Sequence, residues 1–198
     1  MNEQTTMRKI ISFTFVSLNG YFKGLDEDTS WHRHGEEEVR FSEESLQANN
    51  ILLFGRKTYE MMASFWPTPI AKEMFPNVAA GMNSAEKIVF SNTLSSVEWH
   101  NTSILKGNIV EQIKKIKTSP GPDMAIMGSG SIVDQFSDAG LIDKYQIMTD
   151  PVAITQGTSL FSGLKHRLNL KLTDSRVFES GVVLLSYERM GNMENEKD

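Results

Sequence analysis

The chain has no cysteine among its 198 residues, which excludes disulfides, thiolate metal sites and a cysteine nucleophile. It has no apolar run approaching the roughly 20 residues that span a bilayer, and Met1 to Lys9 hold no signal-peptide core. Positive charge is not in surplus either: 20 Lys and Arg stand against 25 Asp and Glu, for a formal net charge of −5. Interspersed charge of this kind makes no extended field for a polyanion, so nucleic acid is not an expected partner. His32 and His34 are two of only 4 histidines, and with no paired His-Glu helix motif they are not expected to hold a metal. No internal repeat is present. These absences predict a cytoplasmic protein with a small-molecule partner and neither membrane nor metal. A single domain over residues 8–190 is expected, with a flexible N-terminus (1–7) and a flexible tail (191–198).

What is there is a set of short apolar runs, each ending in a polar or glycine turn. Met124-Ala-Ile-Met127 breaks at Gly128-Ser-Gly-Ser131, a helical pattern runs from Ile132 to Ala139, and Ile142 to Thr149 reads as the next strand. A strand, a glycine turn and a helix let backbone N–H groups and the positive helix end approach an anion closely. Val133 stands where a full dinucleotide fingerprint has its third glycine, although Asp150 has the spacing, about twenty residues on, of the ribose-binding acid in that fingerprint. A plain turn between packed elements is the alternative.

A second unit is Ile51-Leu-Leu-Phe54, apolar throughout and suited to a strand covered on both faces, followed by Gly55-Arg-Lys-Thr58 opening a helix to Phe65. Arg56 and Lys57 lie beside the positive end of that helix, where each cation costs roughly 0.3–1 kcal/mol unless an anion is near. A bound phosphate resolves the conflict; side chains extended into water are the bland reading. Lys87-Ile-Val-Phe90 is a third strand, ending in Ser91-Asn-Thr93 where open α/β sheets bind ligands. Trp99 to Leu105 is a further strand, and Asn108 caps a helix with an inward stripe of Ile109, Ile113 and Ile116.

At the N-terminal side, Ile10 to Leu18 alternate with a change of phase at Val16, which predicts a strand with a local irregularity. Trp31, after a loop rich in Gly and Asp, is placed to cover a pocket. Glu36, Glu37 and Glu38 open a helix to about Ala48; acids in a first turn complement the helix dipole, and the surrounding His32, Arg33 and His34 predict a wet segment. Leu170 to Phe178 and Val182 to Arg189 bracket Glu179-Ser-Gly181 as an antiparallel hairpin.

Ile51-Leu-Leu-Phe-Gly-Arg-Lys-Thr-Tyr-Glu60, Lys87-Ile-Val-Phe-Ser-Asn-Thr-Leu94 and Met127-Gly-Ser-Gly-Ser-Ile-Val133 resemble the dihydrofolate reductase-like superfamily. Within it, Ala139 to Tyr145 and Gly157 to Phe161 resemble the C-terminal reductase domain of the bifunctional riboflavin-biosynthesis deaminase-reductase, in a stand-alone form without its deaminase. The resemblance implies an α/β fold, a mixed, mostly parallel sheet flanked by helices with a C-terminal antiparallel hairpin. It also implies NADPH across the C-terminal ends of the parallel strands. Gly55, Arg56, Lys57 and Thr58 would hold the pyrophosphate, Gly128, Ser129, Gly130 and Ser131 its other side, and Ser91 and Asn92 the region of the 2′-phosphate. Asn19, where that reductase group often has Asp, and Trp31 would meet the substrate, and a homodimer is implied. Glu36 follows Trp31 at the spacing of the buried acid of folate reductases, in a sequence context that differs. No catalytic residue is assigned. The implied activity is NADPH-dependent reduction of a small heterocycle, most closely the ribosylaminopyrimidine of riboflavin synthesis, with dihydrofolate reduction or nucleotide binding without turnover as alternatives.

Overall fold

The structure of the protein, a computed structural model, describes residues 7–190; of the terminal segments expected to be flexible, only Met7 lies among them. Its centre is β1 (Ile10–Ser17), paired in parallel with β6 (Met124–Met127) on one side and β7 (Lys144–Asp150) on the other. Outward from β6 lie β3 (Ile51–Gly55), β4 (Lys87–Phe90) and β5 (Thr102–Leu105), all parallel. Outward from β7 come β10 (Val183–Arg189) and β9 (Leu170–Val177), both joined by antiparallel ladders. The 8-stranded sheet therefore runs β5-β4-β3-β6-β1-β7-β10-β9. A separate two-stranded ladder ties β2 (Tyr21–Lys23) to β8 (Thr158–Ser159).

The continuous apolar run of β3 divides between two cores, as a strand covered on both faces must. Ile51 and Leu53 join Ile113, Val133 and Phe136 on one face, while Leu52 and Phe54 join Tyr59, Val78, Met82 and Trp99 on the other. The first face is covered by α5 (Ile109–Lys117) and α6 (Gly130–Asp138), the second by α2 (Arg56–Phe65) and α4 (Pro76–Ser84). Between those two lies α3 (Pro69–Met74), and α1 (Glu36–Gln47) packs on α4.

Two expectations are corrected. The phase change in the first strand is not an irregularity: β1 pairs with β7 without a register shift from Ile11 to Ser17. Val16 is buried with Ile10, Ser12 and Thr14 on one face, and Phe13 and Phe15 are half-buried on the other. The strand expected from Trp99 begins only at Thr102, because Trp99 is drawn under the sheet against Phe54 and Tyr59.

Candidate functional site

The C-terminal ends of β3, β4 and β6 open into one large cavity of about 1620 Å³. This exceeds the roughly 300–1,000 Å³ of a site for one drug-sized ligand and gives space for two ligands side by side. Gly55, Arg56, Lys57, Thr58, Ser91, Asn92, Gly128, Ser129, Gly130 and Ser131 all line it, as does Trp31. Asn19 stands apart: its carboxamide donates to Ile154 O (2.8 Å) and accepts from Ser17 Oγ (2.9 Å) and Ile154 N (3.2 Å), holding the turn after β7.

Of the helices whose starts line this cavity, two have no side-chain cap, no acid in the first turn and no proline at the first position. They are α2, behind Gly55, and α6, behind Ser129. Of the other helices, α3 and α5 are capped by Thr68 and Asn108, α1 carries three glutamates in its first turn, and α4 begins with Pro76. The first N–H groups of α2 and α6 thus stay available, with two positive helix ends directed at the same space.

The two turns are joined by Ser129. Its Oγ accepts from Gly55 N–H and donates to Thr58 Oγ1, both at 2.8 Å. Holding this position requires φ +60°, left-handed for a residue with a side chain, directly after Gly128 at φ +59°. A Cβ at Gly128 would meet only the Thr58 methyl, at 3.7 Å, so backbone lies open to the cavity there. At Gly130 a Cβ would come within 2.7 Å of the Phe22 ring, another part of the lining. The hydroxyl of Ser129 is therefore occupied within the protein, and the groups facing an anion here are backbone N–H groups and Ser131.

The cations of α2 have acidic partners on the surface. Arg56 pairs with Glu60 one helical turn on (3.0 Å), and Lys57 with Glu27 (2.8 Å), which also bonds Lys23 (2.7 Å). Those lysines, Lys23 first and then Lys57, hold the Glu27 carboxyl below its usual range. Exposed pairs of this kind contribute roughly 0–1 kcal/mol, so an incoming phosphate can exchange with either carboxylate. At the end of β4, Ser91 Oγ accepts from the N–H groups of Thr93 (3.2 Å) and Leu94 (3.0 Å). Asn92 Oδ1 accepts from Gly107 N–H (2.8 Å), leaving its amide as a donor.

The far wall is aromatic and partly ionisable. Phe13 and Phe15 of β1, Trp31, His32 and Glu38 all line it. The wet segment expected here is found only in part: Arg33 and Glu36 are exposed, whereas His32 is 8 % exposed and Glu38 4 %, because the loop folds back over β1 and the first turn of α1 packs on the hairpin. His32 Nδ1 is 2.7 Å from Asp150 Oδ2, and Arg33 N–H donates to Asp150 Oδ1 (2.8 Å). Ser180 Oγ–H donates to Glu38 Oε1. Glu36 is exposed and outside this lining. His34, with its ring 4.5 Å from that of His32, is pushed below the ordinary histidine value, first by loss of surrounding water and then by His32. Asp134 of α6 is pushed up by burial, an effect that the N–H of Gly163 on its Oδ2 (3.0 Å) partly offsets. Asp150 had the spacing of a ribose-binding acid; it is fully buried and committed to His32 and Arg33.

Among known proteins, the family model for the RibD C-terminal domain matches residues 8–184. The uncharacterized protein YyaP of Bacillus subtilis (strain 168) is 29% identical over 191 residues, covering 96% of this chain and 100% of its own. A putative riboflavin biosynthesis protein from Shewanella sp. PV-4 superposes with TM-score 0.69 at 22% identity, over 92% of this chain and 99% of that one. A dihydrofolate reductase from Enterococcus faecalis, solved with NADP(H), superposes with TM-score 0.60 at 15% identity, over 91% and 96% of the two chains. At these identities the superpositions speak to fold alone, and the fold is that of dihydrofolate reductase. The sheet, the hairpin and a family match over nearly the whole described chain agree: this protein belongs to the RibD C-terminal domain family, with a dihydrofolate reductase-like fold.

Proposed function

We propose that the protein is an NADPH-dependent reductase of a small heterocyclic substrate, of the 5-amino-6-(5-phosphoribosylamino)uracil reductase type. The observation that carries this reading is the pair of uncapped helix starts, α2 and α6, opening on one cavity beside Arg56 and Lys57. Such a constellation fits a pyrophosphate, and the open backbone at Gly128 admits one closely. The N–H groups behind Gly55 and Gly128 would hold the pyrophosphate, with Lys57 and Arg56 exchanging their carboxylate partners for it. Ser91 and Asn92 would donate to the 2′-phosphate. When bound, reduced nicotinamide supplies a hydride; the protein orients the two rings and excludes water. Phe13, Phe15 and Trp31 give the apolar wall against which a flat heterocycle packs. The same reading includes a cytoplasmic location and a homodimeric assembly.

One observation favours a second reading. Glu38 is a buried acid in the cavity wall near the start of the first helix, and an acid so placed suits protonation of a pteridine, hence dihydrofolate reductase activity. The test follows NADPH oxidation by purified protein with the ribosylaminopyrimidine or dihydrofolate. Turnover of the pyrimidine is expected; turnover of dihydrofolate alone would select the second reading, and failure to bind NADPH would remove both.

A further inference from the structure

At the C-terminal end of the central strands, Ser17 of β1 lies opposite Asp150 of β7. Asp150 is 0 % exposed and accepts two hydrogen bonds, from Arg33 N–H at 2.8 Å and from His32 Nδ1 at 2.7 Å. A buried carboxylate needs such partners, and this one fixes the neutral imidazole as the Nδ1–H tautomer. The ring is then locked in place: it stacks on Phe15, centroids 3.6 Å apart and planes at 32°, with the edge of His34 at 4.5 Å. Among the described residues Nε2 has no hydrogen-bond partner, although His32 is almost fully buried and lines the cavity. Packing alone accounts for the Nδ1 side. The other ring nitrogen is not sealed off by packing: it opens on the cavity, where water or a ligand atom can meet it.

We propose that His32 is the catalytic residue that exchanges a proton with the heteroatom of the bond being reduced, and that Asp150 is its positioning residue. This rests on the reductase reading of the same cavity. The carbon of a C=N or C=O bond accepts a hydride, one proton with two electrons, from the reduced nicotinamide, which is oxidised. The nitrogen or oxygen takes the proton of imidazolium Nε2–H, and the imidazole is left neutral with Nδ1–H on Asp150 until solvent returns a proton. Histidine is the side chain whose protonation changes nearest neutral pH, and the Asp150 carboxylate behind the ring holds its orientation and tautomer. The other charged or titratable groups facing it are few. His34 lies at its edge, Glu38 of α1 is bonded by Ser180, and the Arg33 guanidinium is turned away to Ser180 O (2.8 Å). Asn19, the neutral residue of the turn after β1, is committed to Ile154 and leaves this role open.

The test combines a spectrum with kinetics. Protein labelled with 15N-histidine is recorded across pH, with His32 assigned through His32→Gln. Neutral His32 is expected as the Nδ1–H tautomer, with an Nε2 resonance that moves when the ribosylaminopyrimidine is added. With NADPH and that pyrimidine, His32→Gln should lower kcat about a hundredfold or more, in the range of general acid contributions, and remove one limb of the pH profile, while NADPH affinity changes less than about twofold. Asp150→Asn, which keeps the size of the side chain, should reduce kcat in the same direction and weaken the tautomer preference. A neutral Nε2–H tautomer, or a His32→Gln kcat within about threefold of wild type, would overturn the proposal. If NADPH fails to bind, the reductase reading falls, and the tautomer and its response to the pyrimidine still decide the role of His32.

Discussion

Ser129 joins the two turns that flank the proposed pyrophosphate site, and replacing it separates what the fold needs from what the site needs. Ser129→Ala deletes the acceptor of Gly55 N–H and the donor to Thr58 Oγ1. Two intramolecular hydrogen bonds at about 0.5–1.5 kcal/mol each give a loss of about 1–3 kcal/mol. For a chain of this size that lowers Tm by about 2–12 °C, at roughly 2–4 °C per kcal/mol. Ser129→Gly loses the same bonds but relieves the left-handed backbone at φ +60°, worth about 1–2 kcal/mol, against about 0.5–1 kcal/mol for the greater freedom of an unfolded glycine. It should therefore melt higher than Ser129→Ala. Both variants should bind NADPH more weakly, since Gly55 and Thr58 are no longer tied to the start of α6. Thermal melts and nucleotide titrations on the two variants measure this. A Ser129→Ala protein with unchanged Tm and unchanged NADPH affinity would refute the idea that this hydroxyl couples the turns.

The charges at the cavity mouth predict effects of opposite sign. Arg56→Ala should weaken NADPH binding by roughly tenfold or more, from the about 1.5–3 kcal/mol of a charge-assisted contact. Glu27→Gln should tighten it by about two- to fivefold, the about 0.3–1 kcal/mol of an exposed pair, because Lys57 is released; equal affinities in low-salt titrations would contradict both. Lys87 donates to the carbonyls of Met82 (2.9 Å), Asn83 (3.3 Å) and Ala85 (2.6 Å) while fully buried, and burial pushes it from 10.5 to about 8. Unfolded protein therefore takes up this proton first as pH falls, so stability is greatest above 10.5 and declines down to about 8. Relative to Lys87→Met, the wild-type denaturation midpoint should rise from pH 8 to pH 10.5, and a constant difference would count against it. Glu36→Gln, at an exposed site outside the cavity, should lower stability by no more than about 1 kcal/mol and leave turnover unchanged. A hundredfold loss of kcat with intact NADPH binding would assign Glu36 a catalytic part.

Much of the cofactor side is written locally in the chain. The glycine turns at Gly55 and Gly128 each follow a strand and open a helix within a few residues, and that proximity lets both be read from pattern alone. The conflict of Arg56 and Lys57 with the start of α2 is likewise local. The substrate side is not. His32 and Asp150 are 118 positions apart and meet only because β1 and β7 pair in register. In the sequence His32 stands in a polar stretch, and only the fold turns it inward over Phe15. Glu38 differs from Glu36 by half a helical turn, enough to exchange solvent for the hairpin at Ser180. Ser129 was legible as a turn hydroxyl, while its bond to Gly55, 74 positions away, required the β3–β6 pairing.

The central claim is that two helix starts hold one pyrophosphate between them. Amide NMR spectra of 15N-labelled protein titrated with NADPH test it most directly. The account predicts saturable shifts at Gly55 to Thr58 and at Gly128 to Ser131 with a single dissociation constant, smaller with NADH at Ser91 and Asn92. Shifts confined to one turn, or none at either while the protein remains folded, would contradict it.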